Sequence, residues 1–342
     1  MKSGLFRVAI VGAATLKGKE VAEVLNERNF PADVRLLDDE ESLGQVEAVG
    51  DEVAFVQNVA RDQFDGVDFS FFASGEGFTS KNWQLAKNAG SAIVDLSYAL
   101  ENEPGATVRS PWLERQLNQQ VAPELQPAPV VVAHPAAQVL GLLLVRAGKL
   151  AKPRTVAATV IEPASEHGRR GMDELHEQTV NLLSFRELPK AVFDEQVAFN
   201  VIAQYGENSV PTMETVQQRI VRHFRQITAG NAVVPSVMLL QGPSFHGHAF
   251  SIYVEFERAV SEGDFAQALS GEHVTMARLP EDLPSNVNAA GQEGILLSVR
   301  RDTEREQGFW LWAAADNLRI VADTAVECAE SMAASRPKGK VQ

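Results

Sequence analysis

Residues 6–18 of this 342-residue chain read FRVAIVGAATLKG, and this stretch decides the fold. An apolar run ends at Gly12, and a helical pattern with apolar residues every three or four positions begins near Gly18. The stretch therefore predicts a strand, a glycine turn and a helix. Backbone N–H groups at such a junction, together with the helix dipole, can hold a pyrophosphate. We predict a nucleotide site that includes Gly12, Thr15, Leu16 and Gly18.

The same glycine turn has a purely structural explanation. Two glycines six residues apart allow a tight turn with close helix packing, and Thr15 stands where many dinucleotide-binding turns have another glycine. Ser74 and Gly75, which follow a predicted strand at 69–73, either border the nucleotide or form only a turn. A turn that binds no nucleotide therefore stays open as the alternative.

Strands and helices alternate after the glycine turn. Short apolar runs predict further strands at residues 34–37, 53–56, 69–73 and 92–95, with a helix at 79–89. This alternation favours a mostly parallel sheet. The fold class that follows is α/β, with a Rossmann-like nucleotide-binding domain.

The pattern changes after Pro153. Strands with few helices between them are typical of an antiparallel sheet in an α+β domain, and they are predicted at 154–161, 233–240, 249–256, 294–301 and 308–314. Helices are predicted at 172–184 and 212–227, and a last helix with one apolar stripe begins near Leu318. We predict that residues 1–133 with 318–342 form the Rossmann-like dinucleotide-binding domain. Residues 134–317 then form an α+β substrate and dimerisation domain.

Two acidic residues end the second predicted strand. Asp38 and Asp39 can accept hydrogen bonds from an adenosine ribose and would repel a 2′-phosphate. NAD is therefore favoured over NADP if a cofactor binds. A solvent-exposed acidic loop that also includes Glu40 and Glu41 explains the pair equally well.

Composition excludes several classes of partner. Forty-five acidic and 31 basic side chains give a net charge of −14. This charge repels phosphate backbones and anionic lipid surfaces, so we expect neither nucleic-acid nor membrane binding.

The longest apolar stretch, residues 128–145, contains two prolines, a histidine and a glutamine, which argues against a membrane span. The single cysteine, Cys328, is typical of a protein of the reducing cytoplasm.

A series of short segments runs through nearly the whole chain in a defined order. The segments are residues 8–18, ERNFP at 27–31, RLL at 35–37, ASG at 73–75, Ala133 with Pro135, Gly168 with GMDEL at 171–175, FNVI at 199–202, Gly247 with His248, and DNLR at 316–319. This series resembles bacterial aspartate-semialdehyde dehydrogenases. The resemblance implies a Rossmann-like nucleotide domain, an α+β domain for substrate binding and dimerisation, and a C-terminal helix that returns to the first domain.

The resemblance also implies which positions carry the family's chemistry. The family's nucleophilic cysteine is matched by Ala137, and a glutamine that helps to hold the substrate is matched by Glu162. Two arginines are matched by Gln241 and Glu101, whereas the catalytic histidine is kept as His248. An alanine methyl group can neither attack a carbonyl carbon nor ionise, and loss of the arginines removes cations that bind anionic oxygens. The pattern is similar to that of the Usg-type paralogues, a branch of the family, here lacking the catalytic cysteine.

Two functional hypotheses follow. In the first, the protein is a catalytically degenerate homologue that retains the fold, the dimer interface and an NAD(P) site, and binds an unknown small molecule. In the second, it is an active NAD(P)-dependent oxidoreductase that acts on an aldehyde or oxo substrate, in or near amino-acid biosynthesis. His248 is then the acid/base group, without a cysteine nucleophile. A histidine at a strand edge is also commonly a structural residue.

Two further expectations concern assembly and metals. The family pairs through its second domain, and the aromatic strand at 309–312 needs cover, so we predict a homodimer. His246, His248 and Glu162 are the residues with ligand chemistry that we considered for a metal. No close ligand pair at helical spacing supports that site, so we predict no metal centre.

Overall fold

The computed structural model describes residues 5–49, 52–119, 128–277 and 283–335. The chain divides into two units, Met1–Ala133 with Val321–Gln342 (unit 1) and His134–Ile320 (unit 2). Residues 336–342, which the sequence assigned to the first domain, lie outside the described residues.

Unit 1 contains a parallel seven-stranded sheet. Its elements are β1 (Phe6–Val11), α1 (Leu16–Glu27), β2 (Ala32–Asp38), β3 (Val46–Val49), β4 (Glu52–Phe55), β5 (Gln57–Asn58), a 3₁₀ turn (Arg61–Phe64), β6 (Phe69–Phe72), α2 (Glu76–Asn88), β7 (Ala92–Asp95), β8 (Thr107–Arg109), α3 (Pro111–Gln116) and β9 (Val130–Val132). The strand order is β5-β2-β1-β6-β7-β9-β8. Every pairing in this sheet is parallel. The predicted α/β, Rossmann-like class is confirmed.

Unit 2 contains a six-stranded sheet. Its elements are α4 (Pro135–Leu150), β10 (Pro153–Glu162), a 3₁₀ turn (Ala164–His167), α5 (Gly168–Leu183), α6 (Met213–Thr228), β11 (Ser236–Gln241), β12 (His248–Phe256), α7 (Glu262–Leu269), β13 (Val274–Met276), α8 (Asn286–Ala289), β14 (Ile295–Arg301) and β15 (Gly308–Ala315). The strand order is β11-β10-β12-β15-β14-β13. A last helix, α9 (Asn317–Ser335), begins in unit 2 and continues in unit 1.

The core of unit 1 explains why β1 reads as a continuous apolar run. Val8 and Ile10 pack with residues of α1 and α9, whereas Ala9 and Val11 pack with residues of α2. All four side chains have no solvent exposure. A strand covered by helices on both faces is apolar at every position, unlike the alternating strands of one-sided sheets.

Several details differ from the sequence-based expectations, and three of them concern strand pairing or a long helix. The strand predicted at 53–56 forms as β4, but it pairs antiparallel with β3 in a separate two-stranded sheet. The sheet of unit 2 is mixed, because β11 and β13 pair in parallel with β10 and β14 respectively. Helix α4 was not predicted, although Pro135 at its first position suits a helix start.

No described helix is long and apolar enough to cross a membrane.

Candidate functional site

The glycine turn of unit 1 is set by close packing. Gly12 has φ +89°, and a Cβ atom there would lie 2.5 Å from the backbone nitrogen of Ser74. A Cβ atom at Gly18 would overlap the carbonyl oxygen of Gly12. Thr15 caps α1, because its Oγ1 accepts a hydrogen bond from the Gly18 N–H at 3.0 Å and donates to the Gly12 carbonyl at 2.7 Å. Only glycine fits at positions 12 and 18, because other backbone atoms of the protein occupy the space that a side chain would need.

This turn lies where a dinucleotide would bind in a sheet of this topology. The strand order reverses between β1 and β6, and the loops after their carboxyl ends form the crevice used by nucleotides. Leu16 begins α1 and Gly75 caps the start of α2. Ser74 is buried and its hydroxyl is hydrogen-bonded to that of Thr79 at 3.0 Å. The predicted residues after β1 and β6 are therefore adjacent at one edge of the sheet.

The two acidic residues after β2 have different roles. Asp38 is buried, and its two carboxylate oxygens accept hydrogen bonds from the N–H groups of Ala14 and Asp39, each at 2.9 Å. Burial raises the pKa of Asp38. Asp39 is exposed and accepts a hydrogen bond from the Ser42 N–H at 3.1 Å. Asp38 therefore shapes the glycine turn itself, and each of its oxygens keeps a second lone pair for a ribose hydroxyl.

In unit 2, His134 at the start of α4 meets His223 of α6. His134 caps the helix, since its Nδ1 accepts a hydrogen bond from the Ala136 N–H at 3.2 Å. The backbone N–H of His134 donates to Nδ1 of His223 at 3.0 Å. Ala137 lies in the first turn of α4 with no solvent exposure. The ring of His134 is 5.8 Å from that of His248, measured between centroids. Ala137 and His248, which lie far apart in sequence, thus belong to one buried region of unit 2.

The end of β10 supplies a cluster of polar side chains. Glu162 is 1% exposed, and its Oε1 lies 3.6 Å from Nε2 of His167. Glu166 Oε1 lies 3.9 Å from Nε2 of His248 and accepts a hydrogen bond from the side-chain amide of Asn317 at 2.9 Å. Two histidine–carboxylate pairs therefore lie on the same strand-to-helix corner.

Both histidines of these pairs are held neutral. Burial lowers the pKa of His248, and burial lowers the pKa of His167 to about 4. The Nε2 atom of His248 is buried and has no hydrogen-bond partner within the described parts of the chain. A neutral imidazole with an unused ring nitrogen can accept a proton from a ligand.

Gln241 is fully engaged in a hydrogen-bond chain. Its amide nitrogen donates to the carbonyl oxygens of Glu162 and Gly242 at 2.9 and 2.8 Å. Its amide oxygen accepts from the Tyr205 hydroxyl at 2.8 Å. Because the single hydroxyl proton of Tyr205 points to Gln241, the 2.9 Å contact between Tyr205 and His167 requires Nε2 of His167 to be the donor. The direction of every proton in this chain is thereby determined.

Sequence reasoning had missed several of these residues. Tyr205 lies in the irregular segment between α5 and α6, and His223 lies on a helix far from its partner His134 in sequence. Glu166 and His167 carried a weak signal, because polar residues directly after a buried strand commonly lie at functional sites. His246 is half-exposed, and no group of three or more metal-ligating side chains occurs within residues 5–49, 52–119, 128–277 and 283–335.

Both units match known protein families. Residues 7–134 match a family model described as the semialdehyde dehydrogenase NAD binding domain, and residues 144–320 match the semialdehyde dehydrogenase dimerisation domain. The chain belongs to the semialdehyde dehydrogenase family. The family expected from the sequence is confirmed, and the dinucleotide-type fold of unit 1 agrees with it.

Individual relatives cover nearly the whole chain. A USG-1 protein homolog of Azotobacter vinelandii is 32% identical over 91% of this chain and 93% of its own length. An aspartate-semialdehyde dehydrogenase of Rickettsia bellii is 27% identical over 96% of this chain and 97% of its own. The crystal structure of aspartate semialdehyde dehydrogenase II of Vibrio cholerae is 25% identical, with a TM-score of 0.83 over 97% of this chain and 99% of that one. The likeness to the Usg-type branch is supported.

The buried neutral state of His167 predicts loss of stability in acid. Its pKa is about 4 in the folded protein against the ordinary value of 6.5, so the unfolded chain binds the proton first as the pH falls. The loss begins as the pH falls through about 6.5 and is complete below about 4. We expect His167 to lower the free energy of unfolding by about 2 kcal/mol between about pH 7 and pH 5. The His167→Gln variant keeps an N–H for Tyr205, and urea unfolding should show that it loses about 2 kcal/mol less stability than wild type over this pH range. An equal loss of stability in wild type and His167→Gln would contradict the assignment.

Proposed function

We propose that this protein is a dinucleotide-binding member of the semialdehyde dehydrogenase family that does not carry out thiol-dependent aldehyde oxidation. The observation that carries the proposal is the start of α4, where Ala137 presents a buried methyl group beside the capping imidazole of His134. The chain's only cysteine, Cys328, is buried in α9, where burial raises the pKa of its thiol to about 12. A thiol held protonated in this way is inert as a nucleophile.

The residues of unit 1 fit a dinucleotide. Gly12 and Gly18 keep the strand-to-helix turn tight, and the N–H groups of the first turn of α1 would face a pyrophosphate bound at the start of that helix. A dinucleotide bound there would take a hydrogen-bond acceptor for its adenosine ribose from Asp38, and Ser74 and Gly75, which follow β6, would lie beside it. NAD bound there would supply a hydride acceptor. The role of the chain's own residues is to hold the phosphates and orient the ribose.

We predict tighter binding of NAD than of NADP. The buried carboxylate of Asp38, rather than that of exposed Asp39, would repel the 2′-phosphate of NADP. Calorimetric titration of wild type, Asp38→Asn and Asp39→Asn tests this assignment. Asp38→Asn keeps an acceptor for the Ala14 N–H, and its ratio of NAD affinity to NADP affinity is expected to be about tenfold lower than in wild type. Asp39→Asn should keep the wild-type ratio. Tighter binding of NADP by the wild-type protein would contradict the prediction.

The homodimer expected from the dimerisation-domain match is proposed to form through the exposed face of the six-stranded sheet. Trp310 and Trp312 are 38% and 40% exposed, and Met238 on β11 is 53% exposed. Both indole N–H groups already donate within unit 2, to Asp302 and to the Pro284 carbonyl at 2.8 Å. Trp310, Trp312 and Met238 therefore offer apolar surface on this sheet, and the indole N–H groups need no partner from a second subunit.

We predict that Trp312→Glu converts a dimer to a monomer. A carboxylate in the centre of an apolar interface has no partner, and an unpaired buried charge is strongly destabilising. Light scattering at micromolar concentration measures the mass. Val53→Glu, which replaces a 72% exposed side chain of unit 1, is the matched control and should remain dimeric. A monomeric wild-type protein would contradict the proposed interface.

A second function is favoured by one specific observation. The Nε2 of His248 has no hydrogen-bond partner among the residues that the structure describes and lies 3.9 Å from Glu166, so it would suit a general base. An NAD(P)-dependent oxidoreductase that acts on an aldehyde or oxo substrate without a covalent intermediate would use it for proton transfer. Nucleotide-dependent turnover of carbonyl compounds that is lost in His248→Asn would favour this function over the degenerate one.

A further inference from the structure

The side chain of Lys17 crosses one half of the nucleotide crevice. Lys17 lies in the first turn of α1, yet its ammonium donates to the carbonyl of Leu96, which follows β7, at 3.0 Å. Strand β6 lies between β1 and β7 in the sheet. The side chain therefore passes over the carboxyl end of β6, on the side of the crevice away from β2 and Asp38.

The loop that receives Lys17 is rigidly built. Asp95 has no solvent exposure, and its carboxylate accepts hydrogen bonds from the N–H and hydroxyl of Ser97 and from the N–H of Leu100, at 2.8, 2.6 and 2.9 Å. Tyr98 adopts φ +68°, and its ring centroid lies 4.9 Å from the Lys17 ammonium. The Lys17 ammonium therefore contacts this loop through the Leu96 carbonyl and the Tyr98 ring. The buried Asp95 carboxylate, whose oxygens already accept three hydrogen bonds from the loop, also interacts electrostatically with the ammonium.

The ammonium group retains capacity for an anion. A lysine side chain has three N–H donors, and the Leu96 carbonyl takes one of them. Lys17 is half-buried, so its charge is screened less than that of a surface lysine. It also lies on the same helix turn whose backbone N–H groups point into the crevice, so that two sources of positive potential converge there.

We propose that Lys17 binds a phosphate of the dinucleotide, on the side of the second, non-adenosine half. This assignment rests on the proposed nucleotide binding by unit 1. With the adenosine ribose at Asp38 and the pyrophosphate at the start of α1, the rest of the molecule extends past β6 toward β7. That is the half of the crevice that the Lys17 side chain spans.

The test is calorimetric titration of NAD and of AMP into wild type, Lys17→Met and Lys19→Met. Lys19 is two residues further along the same helix, 46% exposed and paired with Glu47 at 3.0 Å, so its variant removes the same charge outside the crevice. Loss of a charged hydrogen bond to phosphate is expected to weaken NAD binding by Lys17→Met about tenfold or more. Lys19→Met should bind NAD as wild type does. AMP, which lacks the second half, should bind all three proteins equally.

Two further measurements separate recognition from a structural role. Lys17→Arg, which keeps the charge, should retain most of the NAD affinity and serves if Lys17→Met fails to fold. The dependence of NAD affinity on salt should be shallower in Lys17→Met than in wild type, because one phosphate contact has been removed. Equal NAD affinity in wild type and Lys17→Met overturns the role of Lys17 alone. Failure of the wild-type protein to bind NAD overturns the proposed nucleotide site and the Lys17 assignment with it.

Discussion

The Gln241→Arg variant is expected to lose about 2–3 kcal/mol of its free energy of unfolding, because a larger side chain without an acceptor atom would break a buried hydrogen-bond chain. Gln241 has no solvent exposure, and all three of its amide hydrogen-bond contacts are made. Arginine has no acceptor atom, so the Tyr205 hydroxyl would face a donor where it now meets the amide oxygen. Gln241, which stands where the family resemblance implies an arginine, is therefore a central member of a hydrogen-bond network of its own.

Urea unfolding of a matched pair measures this effect. Gln218→Arg makes the same exchange on an exposed face of α6 and should change the unfolding free energy by no more than about 0.5 kcal/mol. Tyr205→Phe, which removes the hydroxyl that bonds to both Gln241 and His167, is expected to cost about 2 kcal/mol. If Gln241→Arg is as stable as Gln218→Arg, the hydrogen-bond chain does not hold Gln241 as described.

The Ala137→Cys variant is expected to remain inactive toward aspartate semialdehyde and phosphate. Loss of a nucleophile costs on the order of 10⁶ in kcat in a hydrolase where it was measured, yet returning the thiol alone should recover none of it here. The rest of the site is built for other contacts, because Glu162 and Gln241 belong to the network of His167 and Tyr205. Glu101 adds a carboxylate where the family resemblance implies a phosphate-binding arginine.

The assay of Ala137→Cys needs proof that the thiol is present and reactive. Intact-mass measurement after treatment with an alkylating reagent, with wild type as the control for Cys328, supplies it. Phosphate-dependent formation of NADH or NADPH by Ala137→Cys would show that the site is one residue away from the family reaction.

The sequence predicted the fold well where local signals agree with the tertiary structure. The run Phe6–Val11, the glycine turn and Thr15 occur as β1, a turn and a helix cap, because a strand buried on both faces and a positive-φ glycine leave clear sequence patterns. Helix α4 was missed because its residues 135–147 are all buried. A helix without a polar face has no amphipathic period to detect.

The candidate site was predicted only in part. Glu162 and His248 were identified through the family resemblance, and the structure places each beside a partner that the sequence had not indicated. Tyr205 contacts Gln241 across a separation of 36 residues, from a segment without regular secondary structure. Such a contact depends on the path of a loop, which neither periodicity nor a short motif specifies. For the same reason the reach of Lys17 to Leu96 was invisible before the structure.

The most direct test of this account is an assay of the wild-type protein with aspartate semialdehyde, inorganic phosphate, and NAD or NADP. The aspartate-semialdehyde dehydrogenase of Rickettsia bellii serves as the positive control. We expect no phosphate-dependent formation of reduced nucleotide by this protein, while calorimetry under the same conditions shows NAD binding. Robust formation of NADH or NADPH that is abolished in His248→Asn would contradict the proposed loss of the family reaction.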